Sequence, residues 1–198
     1  GNVDDASGNG HNGTAYGAAL TTDRFGNIAN AYSFNGTNQY IDTSLILDTY
    51  STITVSLWVK LQGNAGGTPS GIISNHRAND NNNDFWLSVS PNSPTIYISG
   101  FNQSGTLYRN GILVPGGSFD ASGNWEHISF TVSVNGSFGG YPMLLGLHEH
   151  GAPGGSTPYF NGLVDDVRIY GRALTPAEMA ALSTMVPNSF SFSPQTAA

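Results

Sequence analysis

The stretch "GLVDDVRIYGRALTPAEMAAL", Gly162 to Leu182, decides the class of this chain. Its first half is a strand rich in branched apolar residues, and its second half opens a helix with a full set of start signals. Thr175 stands at the N-cap, Pro176 at the first helical position, and Glu178 completes a capping box. The helix is short, ending around Leu182, with Ala180, Ala181 and Leu182 as a modest apolar face. A strand alternates its side chains between two faces. Leu163, Asp165, Val167 and Ile169 therefore share one face, and Val164, Asp166, Arg168 and Tyr170 the other. One of the two adjacent carboxylates must stand in an apolar row. A buried carboxylate is costly unless it is paired or holds a cation, so positive charge is expected beside it.

Outward from this stretch the chain reads as strands separated by Gly/Asn/Ser/Pro turns, the pattern of a sandwich or barrel. The candidates are "AYSFNG", "QYIDTS", "STITVSLWVKL", "SGIISNH", "DFWLSVS", "TIYISGF", "TLYRNGILV", "WEHISFTVSV", "YPMLLGLHEH" and "YFNGLVDDVRIY". In the third, Ile53, Val55, Leu57, Val59 and Leu61 alternate strictly with Thr54, Ser56, Trp58 and Lys60, a strand with one face in a core. Segments around Gly63–Gly67, Asn79–Asp84 and Gly151–Thr157 read as long surface loops.

With 198 residues the chain fits one large all-β domain. It has no cysteine, which excludes disulfides and thiolate metal sites. No apolar run is long enough to span a bilayer as a helix. The first residues read as the interior of a motif, so a processed N-terminus is expected. Six Lys plus Arg stand against thirteen Asp plus Glu, which denies a nucleic-acid partner its basic footprint. Polarity rests instead on Gly, Ser, Thr and Asn, a surface suited to neutral polar ligands outside the cell.

The runs "DDASGNGHNGTAYGAALTTDRFGNIANAYSFNGTNQYI", "ITVSLWVKL", "NWEHISFTV" and "YFNGLVDDVRIYGRALTPAEM" together resemble the laminin-G-like, concanavalin A-like domain of bacterial surface and secreted proteins. The resemblance is strong at both ends and weak from about Asn64 to Pro158. It implies an all-β fold, a two-sheet antiparallel jelly-roll sandwich over residues 1–185, with one short C-terminal helix and a tail, residues 186–198. It also implies a structural calcium ion between the N-terminal loop and the C-terminal Asp pair. Calcium takes oxygen ligands from carboxylates, amides and carbonyls. Asp5, Asn9 and Asn12, beside Asp4, are the ligands the loop would offer, and Asp165 and Asp166 would close the site. The competing reading has Asp4 and Asp5 capping their own turns and a strand Asp paired with Arg168 or Arg172. The sequence departs from its relatives at Asn38 and Gln39, where they commonly carry an acid. "TLYRNGILVPG" also precedes "NWEHISFTV", which predicts altered wiring in the middle of the sandwich.

Catalysis is not expected. The glutamates Glu126, Glu149 and Glu178 do not form the paired pattern of a jelly-roll glucanase, and no nucleophile elbow or P-loop occurs. "HEH", His148 to His150, puts two imidazoles on one strand face but lacks a third ligand for a transition metal. His127 reads as a core-edge residue, as in relatives. Sugar binding would rest on aromatics. Trp86 is expected on the more exposed face of its strand, beside Asp84, because Phe85, Leu87 and Val89 take the other face. Tyr97, Tyr108 and Tyr141 are further candidates beside it on the concave sheet, set against core burial as the alternative for each. Sequons at Asn12, Asn35, Asn102 and Asn135 are acceptors only in a glycosylating host, and at the three followed by glycine the Asn-Gly turn is the reading that composition favours.

The functional expectation is a non-catalytic, calcium-stabilised glycan-binding or adhesion module of an extracellular or cell-surface protein. Its partner would be a carbohydrate or a cell-surface protein. The alternatives are a structural subunit of an appendage or virion that self-assembles through sandwich edges and, behind it, a polysaccharide hydrolase or lyase. The tail alternates Ser189, Phe190, Ser191, Phe192 and Ser193 between two prolines, the pattern of a short added strand.

Overall fold

The structure, a computed structural model, describes residues 2–63, 68–75, 83–100, 103–138, 140–148 and 159–185. His150 and the tail with Phe190 and Phe192 lie outside the described residues. Among those described, the strands are β1 (Thr14–Tyr16), β2 (Ala19–Thr21), β3 (Ala31–Asn35), β4 (Tyr40–Ile46), β5 (Thr52–Leu61), β6 (Ser70–Ser74) and β7 (Phe85–Val89). They continue as β8 (Thr95–Gly100), β9 (Gln103–Arg109), β10 (Ile112–Leu113), β11 (Ser118–Asp120), β12 (Glu126–Val134), β13 (Pro142–Leu145) and β14 (Asn161–Tyr170). One helix, α1 (Pro176–Leu182), follows.

These strands form two antiparallel sheets of seven, a jelly-roll sandwich. The front sheet runs β1-β4-β13-β6-β7-β8-β11 and the back sheet β10-β9-β12-β5-β14-β3-β2. The outermost strands are only two or three residues long, which limits the unpaired backbone at each edge. The strict alternation in β5 puts Ile53, Val55, Leu57 and Val59 in the core with at most 1% of their surface exposed. Phe130 and Val132 of β12 and Val164 and Ile169 of β14 extend the same layer. Across the sandwich Phe85 packs edge-on against Phe130 and Phe138, both with ring centroids at 5.7 Å.

"TLYRNGILV" becomes the β9–β10 hairpin. Asn110 and Gly111 both take positive φ, 51° and 78°, the two-residue turn that matches the twist of its strands. β9 then pairs with β12, so Tyr108 belongs to the back sheet, opposite Ser129. That corrects the expectation that Tyr108 shares a sheet with Trp86, which lies on β7 of the front sheet.

The Asp pair brings a second correction. Asp165 faces Trp58 of β5, and Arg168 faces Ser56, so Asp166 and Val167 together oppose Leu57. This is a β-bulge, with Asp166 at φ 49°. The extra residue resets the alternation. Val164, Val167 and Ile169 all reach the core, and the carboxylates are taken up by arginines outside it. Neither Asp stands in the apolar row.

Helix α1 begins as its start signals require. Thr175 Oγ1 accepts from the Glu178 backbone N–H at 3.3 Å, and the Thr175 N–H donates to Glu178 Oε2 at 2.7 Å. Its buried residues are Met179 and Leu182, one turn apart, rather than the two alanines.

Candidate functional site

The front sheet presents a row of aromatic side chains on its outer face. Asp42, Leu144, Ser74, Trp86 and Ser99 lie in register across β4, β13, β6, β7 and β8, so their side chains share that face. Tyr40 and Tyr97 are each two residues from this row on their own strands and point the same way. Tyr16 of β1 stacks on Tyr40 with centroids 4.5 Å apart and planes at 10°, and Tyr159 leans on Tyr40 at 6.5 Å. Farther along, His148 stacks on Trp86 at 4.6 Å and 20°. The Trp86 indole N–H donates to the Tyr97 hydroxyl, whose proton affinity burial raises above the ordinary tyrosine value.

A glycine lets the two halves of this row approach. A Cβ on Gly71 would sit 2.5 Å from His148 N and Cβ, so only glycine allows the 147–148 segment to lie against β6. Tyr159 bridges to both Gly71 and Leu147 in the same place. Tyr16 is 46% exposed, and Tyr40, Trp86, Tyr97 and Tyr159 are half-buried. Phe85, Leu87 and Val89 on the opposite side of β7 are buried in the core. Of the residues expected around Trp86, Asp84 is buried just before β7, and Tyr141 is half-buried just before β13.

The outer face of the back sheet is different in kind. Loop 22–30 crosses it, folded around Asp23. Asp23 Oδ1 accepts from the Phe25 and Asn27 N–H groups at 2.8 and 2.9 Å, and Oδ2 from Asn27 Nδ2 at 2.9 Å. Burial works to raise the Asp23 carboxyl, but these hydrogen bonds hold it below its ordinary value. The loop delivers Arg24, whose guanidinium lies 4.4 Å over the Trp58 ring and pairs with Asp165 at 2.6 Å and Asp166 at 3.4 Å. Arg168 Nε pairs with Asp166 at 2.8 Å. Burial still pushes Asp165 up to about 6 against the pull of Arg24. Beside them His127, 1% exposed, shares a hydrogen bond with Ser56 at 2.9 Å. Burial pushes it down to about 3, with Arg24 and Arg168 adding to the effect.

The sequence model of the concanavalin A-like lectin/glucanases superfamily matches residues 35–141, more than half of the chain. The chain belongs to this superfamily. Several solved structures are similar to the chain. Domain 4 of AbnA, a GH43 extracellular arabinanase from Geobacillus stearothermophilus, in complex with arabinotriose, is 20% identical at a TM-score of 0.53, covering 92% of this chain and 93% of that one. The native heptameric SAP-like pentraxin of Limulus polyphemus is 13% identical at 0.46, covering 81% and 87%. The CBM40 of the Ruminococcus gnavus IT-sialidase, bound to α2,3-sialyllactose, is 11% identical at 0.45, covering 86% and 98%. No curated protein sequence matches the chain.

Of the calcium ligands implied by resemblance, Asp5, Asn12, Asp165 and Asp166 have side-chain oxygens that already accept from protein donors. Asp5 accepts from the Ser7 N–H at 2.9 Å, Ser7 Oγ at 2.8 Å and the His11 N–H at 3.2 Å. Asn12 Oδ1 accepts from the Asp5 N–H at 2.9 Å, and Asn9 Nδ2 donates to Ser7 Oγ at 3.1 Å. Asp4 accepts from Asn2 Nδ2. At the other end guanidinium groups already answer Asp165 and Asp166. Among the described residues no three acidic or imidazole side chains gather as a metal-ligand group. The arrangement does not fit a calcium ion bridging the two ends. Two cations stand beside the Asp pair: Arg168, the partner the competing reading offers, at Asp166, and Arg24, which that reading does not include, at both carboxylates. The signal for Arg24 was the Asp23/Asn27 loop chemistry in "TTDRFGN", which marks a tightly held turn carrying an arginine.

Proposed function

We propose that this chain is a non-catalytic glycan-binding module that works outside the cell, with sugar rings lying across the aromatic row of the front sheet. The observation that carries the reading is the run of Tyr16, Tyr40, Tyr159, Trp86 and Tyr97 along one outer face, partly open to solvent. Apolar C–H faces of a sugar stack on such rings while hydroxyls bond to their polar tips. Ser99 and Asp42 in the same face add polar partners. Against a catalytic role stand the acids themselves. Glu126 is bound to Arg109 and Ser122, Glu178 caps a helix, and the Asp pair is held by arginines. The arabinotriose-bound domain of the same fold makes neutral oligosaccharides the first ligands to try.

The test is a glycan array probed with the wild-type protein, Trp86→Ala and Tyr40→Ala, alongside the oligomeric state in solution. Binding to a defined glycan, weakened about tenfold or more by either substitution, is expected. A folded protein that binds nothing on the array, or binds equally well in both variants, sinks the reading. A concentration-dependent oligomer in place of glycan binding would turn attention to the sandwich edges.

A further inference from the structure

The back of the molecule holds a cavity of about 300 Å³ between loop 22–30, the β5–β12 region and the end of α1, lined by Phe25, Arg24, Trp58, Trp125, Ser183 and Thr184. Its size lies at the low end for ligand pockets, room for one ring rather than an extended chain. Three aromatic side chains wall it. Arg24 Nη2 donates to the Met185 carbonyl at 3.0 Å, which ties the end of the helix to the loop and holds the cavity's shape. Two donors of these lining residues, Trp58 Nε1 and Arg24 Nε, are buried and lack a hydrogen-bond partner. Buried donors of this kind ordinarily find one.

We propose that this cavity is a second binding site, for a single neutral sugar residue, on the face opposite the aromatic row. Charge argues for a neutral ligand. Arg24 and Arg168 are matched by Asp165 and Asp166 through ion pairs of 2.6 to 3.4 Å, so the site offers no unbalanced charge to an anion or cation. The walls argue for a ring with apolar faces, which the indoles of Trp58 and Trp125 and the ring of Phe25 would stack against. The partnerless donors of Arg24 and Trp58 favour a ligand that brings oxygen acceptors, reached by a small shift of these side chains, because an alkyl or phenyl group would leave them as they are. The Ser183 and Thr184 hydroxyls donate to the Ala180 and Ala181 carbonyls at 2.7 and 2.9 Å, which leaves their oxygens able to accept from sugar hydroxyls. The site does not depend on the front sheet and stands or falls separately from it.

The chain has three tryptophans, so in Trp86→Phe the remaining fluorescence comes from Trp58 and Trp125, both at this cavity. Methyl glycosides of neutral hexoses and pentoses are titrated into that variant. A saturable change in emission with at least one of them is expected. Adding Trp125→Ala or Phe25→Ala should weaken it roughly tenfold, about the loss of one ring stack. Phe25 is 54% exposed, so its substitution leaves the melting transition in place. No saturable change with any glycoside, or an affinity unmoved by both substitutions, overturns the proposal. A response that emerges only when Phe190 and Phe192 are both replaced by alanine in the full chain also overturns it. The cavity would then belong to the tail.

Discussion

The two outer faces of the sandwich solve opposite problems. The back face is roofed by loop 22–30 and α1 and carries a buried charge network, Arg24 and Arg168 against Asp165 and Asp166. The front face shows aromatic rings to solvent, and its row is held by stacking and one indole–hydroxyl hydrogen bond. Charge under a roof must be matched almost atom for atom, since an unpaired buried ion is expensive. Rings on an open face need no such matching and can wait for a ligand. The difference teaches that a buried cluster of charge is here the mark of a roofed face, and open aromatic rings the mark of the proposed binding face. The buried arginines and carboxylates of the back face match one another's charge, although Arg24 Nε and Trp58 Nε1 keep no hydrogen-bond partner.

The largest effect should come from breaking the back face. Arg24→Ala leaves Asp165 without its partner and uncovers Trp58, and removing one member of a buried pair costs about 3–5 kcal/mol. Trp86→Ala, on the front, should cost distinctly less, because the ring is half-buried, while weakening the proposed glycan binding about tenfold or more. Urea denaturation of both variants reads the contrast. Equal losses would mean that Trp86 is packing and that the two faces are not different in kind.

Acid should sharpen the same contrast. His127, held at about 3 in the fold against 6.5 unfolded, contributes stability that is present above about 6.5 and lost as pH falls toward 3. Asp165, raised to about 6 from 3.8, has the opposite slope: the folded protein takes up its proton first, so acidification from 6 to 4 stabilises. In the wild type the two slopes offset one another across that window. His127→Gln should expose the Asp165 slope, with the melting temperature rising from pH 6 to pH 4 relative to wild type. Asp165→Asn should expose the other, with the melting temperature falling over the same range. Parallel profiles in all three proteins would remove the back face from the pH response.

Much of this was legible in the sequence and some was not, for physical reasons. The alternation in Ile53–Leu61 and the Thr175/Pro176/Glu178 start signal are local patterns, and they became β5 and α1 as read. The face of Trp86 was legible for the same reason. The Asp pair was misread because a bulge breaks the period of two, and nothing within "LVDDVRI" announces an extra residue. Arg24 was missed because it meets Asp165 across 141 positions, a contact set by sheet topology rather than by spacing. Tyr108 was assigned to the wrong sheet because a strand's sequence shows how its faces alternate and not which sheet it joins. Tyr16, Tyr40 and Tyr159 come from three separate segments and meet only when β1, β4 and the approach to β14 lie side by side.

The cap at α1 offers a smaller and local effect. Thr175→Ala removes the acceptor for the Glu178 N–H and should cost about 1 kcal/mol. Glu178, held at about 2 by Arg172 first and then by the Thr175 N–H and hydroxyl, contributes stability above about 4.5 that is lost as pH falls toward 2. Part of that contribution should vanish with Thr175. Because α1 roofs the back face, hydrogen exchange should quicken around Ser183 and Thr184 while the front-sheet amides stay as slow as before. Exchange that quickens equally on both sheets would mean that the roof and the sandwich unfold as one unit.

The smallest expected effect is that of a chelator, and it tests the back face from the other side. If calcium joined the N-terminal loop to the Asp pair, the ion would add stability in proportion to the logarithm of its occupancy, about 2.7 kcal/mol at one hundred times its dissociation constant. Stripping it would lower the melting temperature, and adding it back would restore the transition. Here Asp5 is satisfied by Ser7 and His11, and Asp165 and Asp166 by guanidinium groups. A divalent ion would have to displace Arg24 from Trp58 and leave that arginine buried without a carboxylate. The melting temperature should therefore be the same in excess chelator as in millimolar calcium. The Arg24→Ala variant is the informative partner, because it vacates the cationic position beside two carboxylates. If calcium stabilises that variant and not the wild type, the arginine occupies the place a metal could fill. If it stabilises the wild type, the ion has its own site, and the contrast between a charge-matched back and an open front has to be redrawn.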